Sequence, residues 1–150
     1  METQLTRTHH FCKNQKSLRV LLIERMVESE RAYKKAYGSV GVEIVDVAHT
    51  LREAQRKLFG RHEPYDLIVV DGSFWCDKPS AIELCQKIRS DDGFEHTALL
   101  MINSDTDAFT IEEAFRAGVD EFLPKYVSLR DLQSLSLRAI LDRRQVTRGL

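Results

Sequence analysis

The sequence predicts a doubly wound α/β domain, with five parallel strands in the order 2-1-3-4-5 and helices on both faces of the sheet. Three observations carry this prediction. Short apolar runs of strand length alternate with amphipathic stretches of helix length five times along the 150 residues. Three Ser/Thr-x-x-Glu capping boxes, opening at Thr50, Ser80 and Thr110, each fall just after a strand-like run. Polar residues close four of the apolar runs, at Glu24-Arg25, Asp71, Asn103-Ser104 and Lys125. Strict alternation forces parallel strands, and right-handed crossovers then place helices on both faces.

The elements follow in order. Leu18 to Ile23 is a continuous apolar run, as a strand buried on both faces requires. Glu28 to Tyr37 is helical, with Ala32, Tyr33, Ala36 and Tyr37 on one face, and Gly38 and Gly41 break it. Val42 to Val47 intersperses two acids among apolar residues and reads as an outer strand. Thr50 opens a helix with the stripe Leu51, Ala54, Leu58. Leu67 to Val70 is a buried strand closed by Asp71, and Gly72 and Ser73 stop it. Ser80 opens a helix burying Ala81, Leu84, Cys85 and Ile88. Ala98 to Ile102 is the next strand, and Thr110 opens a short helix with Ile111, Ala114 and Phe115 inward. Gly118 ends it, Val119 to Leu123 is the last strand, and Ser128 caps the last helix with Asp131 three residues on.

Composition bounds the class. The domain reads as residues 18–144, preceded by a disordered polar leader over 1–17 and followed by a helix end or linker over 145–150. A formal net charge of -1 supplies no field for nucleic acid or a membrane surface. No apolar run reaches the ~18 residues of a membrane span, and the amino terminus lacks the apolar core of a secretory signal. Cys12, Cys76 and Cys85 are odd in number and without ligand spacing, which points to a reducing cytoplasm rather than a disulfide framework or zinc site. His49, His62 and His96 have no ligand spacing and read as solvated. Arg143, Arg144 and Arg148 read as a solvated helix end.

In an open α/β sheet, ligands bind beyond the carboxyl ends of the strands. Glu24, Asp71, Asn103 and Lys125 therefore converge on one crevice: two acids, an amide and a lysine, the parts of a phosphoryl-accepting pocket. The simpler reading of Asp71, a carboxylate capping its own turn, leaves the matching Glu24 and Lys125 unexplained.

At this point the chain resembles the receiver domain of two-component response regulators, with flavodoxin-like topology. The resemblance rests on Val20-Leu21-Leu22-Ile23-Glu24, on Tyr65-Asp66-Leu67-Ile68-Val69-Val70-Asp71, and on Ala117-Gly118-Val119-Asp120-Glu121-Phe122-Leu123-Pro124-Lys125. It covers roughly Leu18 to Arg144. It implies that Asp71 is the phosphoacceptor, Lys125 the active-site lysine and Phe122 the switch aromatic. Asn103 falls where the family has a hydroxyl residue. It further implies Mg²⁺ held by Glu24, Asp71 and the Ser73 carbonyl, and partnership with a sensor histidine kinase or phosphotransfer protein.

The departures carry information. Arg25 stands where the family has a second metal-binding acid, and a guanidinium neither ligates a metal nor loses its proton. Turned inward to ~4 Å from Asp71, it would attract that carboxylate by about 4 kcal/mol at an effective dielectric of ~20, before desolvation. Turned outward, it would be an ordinary solvated arginine. Trp75 replaces the usual proline in the loop after Asp71.

Three functions follow. The first is a non-enzymatic receiver acting through protein contacts, with a degenerate metal site and weak or absent phosphorylation. The second is an ordinary Mg²⁺-dependent phosphoacceptor. The third, a flavodoxin-like enzyme or FMN carrier, needs a hydroxyl-rich phosphate loop, but Glu24 to Glu30 brings three acids there. A dehalogenase-type phosphatase would need an acid at Ser73. The last helix carries Leu129, Leu132, Leu135, Ala139 and Ile140 on a broad stripe that Leu137 and Leu141 extend sideways, a surplus that predicts a homodimer through this helix.

Overall fold

The structure is a computed structural model that describes residues 17–60, 63–74 and 77–148. The expected leader, His62, Trp75 and Cys76 therefore lie outside the described residues, Ser17 excepted. The elements are β1 (Leu18–Ile23), α1 (Val27–Gly38), β2 (Val42–Ala48), α2 (Leu51–Phe59), β3 (Leu67–Asp71), α3 (Ala81–Ser90), a 3-10 turn (Asp92–Phe94), β4 (Ala98–Asn103), α4 (Ala108–Arg116), β5 (Glu121–Pro124) and α5 (Leu129–Arg148). The strands form one sheet in the order β2-β1-β3-β4-β5, and every pairing is parallel. The architecture matches the sequence-based expectation.

Alternation of side chains along the strands divides the core in two. Leu21, Ile23, Ile68, Val70, Leu99 and Met101 face α2, α3 and α4. Val20, Leu22, Leu67, Val69, Leu100 and Ile102 face α1 and α5. Both faces of β1, β3 and β4 are thus covered, which explains why these strands read as unbroken apolar runs. Each large side chain so buried contributes roughly 1.5–3 kcal/mol.

Capping side chains fix three of the helix starts. Thr50 Oγ1 accepts from the Glu53 amide at 3.1 Å, Ser80 Oγ from the Glu83 amide at 3.2 Å, and Ser128 Oγ from the Asp131 amide at 3.1 Å. The Thr110 box is a misreading. The helix starts earlier, at Ala108, because the Asp107 carboxylate accepts from the Thr110 amide at 2.7 Å. Thr110 is then the third helical residue, and this rotates the face: only Ala114 is buried, Ile111 is half-buried and Phe115 is exposed.

The last strand is also shifted, to Glu121–Pro124. The Gly118 and Val119 amides bond back to Phe115 and Ala114 and close α4, so the ladder begins later. Gly118 has φ +100°, and a Cβ there would lie 2.5 Å from Arg89 Cγ, so glycine is required on both counts.

Two readings of α5 are corrected. Leu137 is buried, not surplus, because α5 packs against both the sheet and α1. The Tyr37 hydroxyl and Ser136 Oγ are 2.8 Å apart in that second contact, and burial raises the Tyr37 pKa. Arg143 and Arg144 are not solvated. Arg143 Nη2 donates to Asp120 Oδ1 at 2.7 Å, and Arg144 Nη2 to Asp66 Oδ1 at 2.9 Å. Asp120 also accepts from Arg89 Nη2 at 2.9 Å and from the Leu99 amide at 2.8 Å. These pairs tie the far end of α5 to the sheet edge opposite Asp71. Among the histidines, His49 is paired as well, its Nε2 lying 2.8 Å from Glu30 Oε2.

Candidate functional site

The pocket is built by four adjacent strand ends, those of β1, β3, β4 and β5. The Glu24 amide extends the β1–β2 ladder by donating to Ala48 O, which fixes the residue beside Asp71 at the end of β3. Lys125 follows Pro124, the last residue of β5, and its amide donates to the Asn103 carbonyl at 3.1 Å. Backbone pairing thus brings Glu24, Asp71, Asn103 and Lys125 to one sheet edge.

Asp71 is only 3 % exposed. Its Oδ1 accepts from the Ser73 amide at 2.9 Å. Its Oδ2 is buried and has no hydrogen-bond partner; Lys125 Nζ lies 3.9 Å away, an ion pair rather than a hydrogen bond. Glu24 is equally buried and its Oε1 accepts from the Met26 amide at 3.0 Å. Burial pushes the Glu24 pKa up; the Met26 hydrogen bond opposes this, the Asp71 charge adds to it, and Lys125 opposes it. Burial, reinforced by the charges of Glu24 and Asp71, raises the pKa of Tyr33 on α1 to about 12.

Asn103 packs over Gly72, where a Cβ would lie 2.4 Å from the amide Nδ2. That contact explains why a glycine follows Asp71. Asn103 Oδ1 accepts from the Asp105 amide at 3.1 Å. The asparagine therefore borders the pocket through its backbone, and its side chain makes no hydrogen bond to Asp71. Phe122, paired in register with Met101, is half-buried against the core under α2, α3 and α4.

Arg25 points out. Its Nη2 lies 3.4 Å from Asp77 Oδ1, its Cζ lies 4.4 Å from the centre of the Phe74 ring, and its side chain is 48 % exposed. Of the two orientations open from sequence, the outward one is found. The positive charge beside Asp71 comes from Lys125. Asp77 and Phe74 are residues that sequence reasoning missed. Both lie in a loop without periodicity, and no local signal marks them as partners of Arg25.

The donor set bears on Mg²⁺. Glu24, Asp71 and the Ser73 carbonyl are present, but the second acid is replaced by Arg25. Among the described residues, no group of three or more His, Cys, Asp or Glu side chains is placed to hold a metal ion. The residues thus do not supply the three-acid set that the resemblance implies. What remains is a buried acid pair, one of whose oxygens is unsatisfied, beside a single ammonium.

The fold has counterparts among known proteins. Among solved structures, the chain is similar to the chemotaxis response regulator CheY4 of Vibrio cholerae, at 19% identity and TM-score 0.73 over 83% of this chain and 99% of that one. It is also similar to a response regulator from Thermotoga maritima, at 24% identity and TM-score 0.72 over 84% and 99%. A two-component response regulator from Clostridium difficile gives 24% identity and TM-score 0.71 over 85% and 98%. These likenesses establish the fold. No curated protein sequence matches the chain. No helix among the described residues is long and apolar enough to cross a membrane. The model of the response regulator receiver domain matches residues 20–136, well over half of the chain, and the chain therefore belongs to the response regulator receiver family.

Proposed function

We propose that this receiver domain signals through protein contacts, without enzymatic activity, and that its metal-dependent phosphorylation is weak or absent. The observation that carries this reading is Arg25 in place of the second acid. Phosphoryl transfer is catalysed chiefly by positioning and by neutralising charge on the incoming oxygens. Here Glu24 and Asp71 supply two negative charges where the family has three, and a guanidinium stands at the rim. The domain is taken as residues 18–144, in the cytoplasm, with a sensor histidine kinase or phosphotransfer protein as its upstream partner.

One observation favours the second reading, an ordinary phosphoacceptor. Asp71 Oδ2 is buried without a hydrogen-bond partner, and Arg25 does not neutralise it. Such an oxygen is available to a phosphoryl group or a cation, and Mg²⁺ sites often use only one or two carboxylates. In both readings Asp71 is the acceptor, Lys125 its counter-charge and Phe122 the switch aromatic.

Acylphosphate formation from acetyl phosphate and Mg²⁺ separates the two. The degenerate reading expects little product from the wild-type chain and clear product from Arg25→Asp, abolished by adding Asp71→Asn. Product of equal amount in wild type and Arg25→Asp, sensitive to Asp71→Asn, would establish the second reading.

A further inference from the structure

We propose that Arg25 is a positioning residue, whose guanidinium ties the loop after β1 to the loop after β3 and so holds Glu24 and Asp71 in place side by side. The strands alone do not do this. The β1–β3 register ends at Ile23 and Val70, which leaves Glu24 beside Asp71. Past that point the two chains turn to opposite neighbours. The Glu24 amide donates to Ala48 O of β2, and the Gly72 amide to Ile102 O of β4. Two carboxylates, each 3 % exposed, therefore meet where the ladder has ended, and like charges there favour separation.

Each acid fixes its own loop. Glu24 Oε1 accepts from the Met26 amide at 3.0 Å, and Asp71 Oδ1 from the Ser73 amide at 2.9 Å. Arg25 lies inside the first of these turns. Its side chain reaches the residue after the second, with Cζ 4.4 Å from the centre of the Phe74 ring, and goes on to Asp77, with Nη2 3.4 Å from Oδ1. Phe74 is 1 % exposed and belongs to the core under α2, α3 and α4, so this end of the tie is anchored. The contacts thus run from Glu24 through Arg25 and Phe74 to Asp71. Holding Ser73 in place keeps Oδ1 occupied and leaves Oδ2 as the oxygen without a hydrogen bond. A surface ion pair and a cation–π contact are each weak, but together they suffice to bias a loop severalfold. The inference rests on the reading of Asp71 as the acceptor and gives Arg25 a role there beyond that of a lost acid.

The test is amide hydrogen exchange in the full chain, followed by NMR without metal or phosphodonor. Its failure therefore leaves the acylphosphate result untouched, and the reverse holds as well. Arg25→Ala, which loses both contacts, should speed exchange at Ser73 about fivefold. Asp77→Ala should speed exchange at Met26, on the other loop, about twofold. The double variant should be no faster than Arg25→Ala, because both substitutions break one tie. Arg25→Lys should fall between wild type and Arg25→Ala, since it keeps the charge but not the planar stack. Leu100, in the middle of the sheet, should exchange as in wild type. Four results would each overturn the proposal: no change at Met26 in Asp77→Ala, multiplying effects in the double variant, Arg25→Lys no slower than Arg25→Ala, or acceleration at Leu100 equal to that at Ser73.

Discussion

The Arg25 guanidinium lies 3.4 Å from Asp77 and over the Phe74 ring, while the ammonium of Lys125 stands 3.9 Å from Asp71. The substitution of an acid by arginine was legible in the sequence. Its orientation was not, because the carboxylate that draws the guanidinium outward lies 52 positions away in a loop. Asp120 is the second residue whose role depends on distant partners. It accepts from Arg89, Arg143 and the Leu99 amide, and all three charged side chains are less than a quarter exposed. Asp120→Ala removes the counter-charge of two guanidinium groups and the acceptor of the Leu99 amide at once, although Arg89 keeps its bonds to the Phe94, Thr97 and Gly118 carbonyls. Removing one partner of a largely buried charge cluster costs about 3 kcal/mol, so urea denaturation of this variant should show a loss of that order. A loss within experimental error would mean that the cluster is solvated in solution.

At the scale of elements, the β-strands were legible because burial on both faces demands continuous apolar runs, which β1, β3 and β4 display. The Thr50 and Ser80 caps were legible for a similar reason: each motif is entirely local. At α4 two capping residues compete, and Asp107 prevails over Thr110 by starting the helix earlier. Asp107→Ala should therefore destabilise the protein, and Thr110→Ala should have much the smaller effect. The Asp107 pKa is lowered from 3.8 by the Thr110 amide hydrogen bond. A depressed folded pKa stabilises above the unfolded value and loses that stabilisation as pH falls through the folded one. The stability gap between wild type and Asp107→Ala should thus be full at neutral pH and close below about pH 4. A gap that persists unchanged in acid would argue against a carboxylate cap. The width of the α5 stripe was also visible in the sequence, but its cause was not. α5 buries one side on the sheet and another on α1, and so Leu137 is spent within the chain.

For the molecule as a whole, burial removes Leu137 from the expected homodimer surface, while Leu141 stays exposed. Phe109, Phe115, Tyr126 and Leu129 are large and exposed on α4 and around the start of α5. If this face pairs two copies, sedimentation at high micromolar concentration should give a dimer. Phe115→Glu and Leu129→Glu should return it to monomer with the fold intact, whereas Leu137→Glu should unfold it. A wild-type monomer at that concentration would remove the pairing. The topology was legible because alternation and crossover handedness leave one sheet order for this pattern of elements. The site was legible to the level of which strand ends meet, since register follows from the fold. Its charge balance depended on side-chain directions that no pattern encodes. The claim that this balance disfavours Mg²⁺ is tested most directly by melting the wild-type chain across a Mg²⁺ titration into the millimolar range. A ligand specific to the native state adds about 2.7 kcal/mol at a hundredfold excess over its Kd. A flat melting temperature is expected for wild type and a saturable rise for Arg25→Asp; a saturable rise in the wild type itself would contradict a charge balance that disfavours the metal.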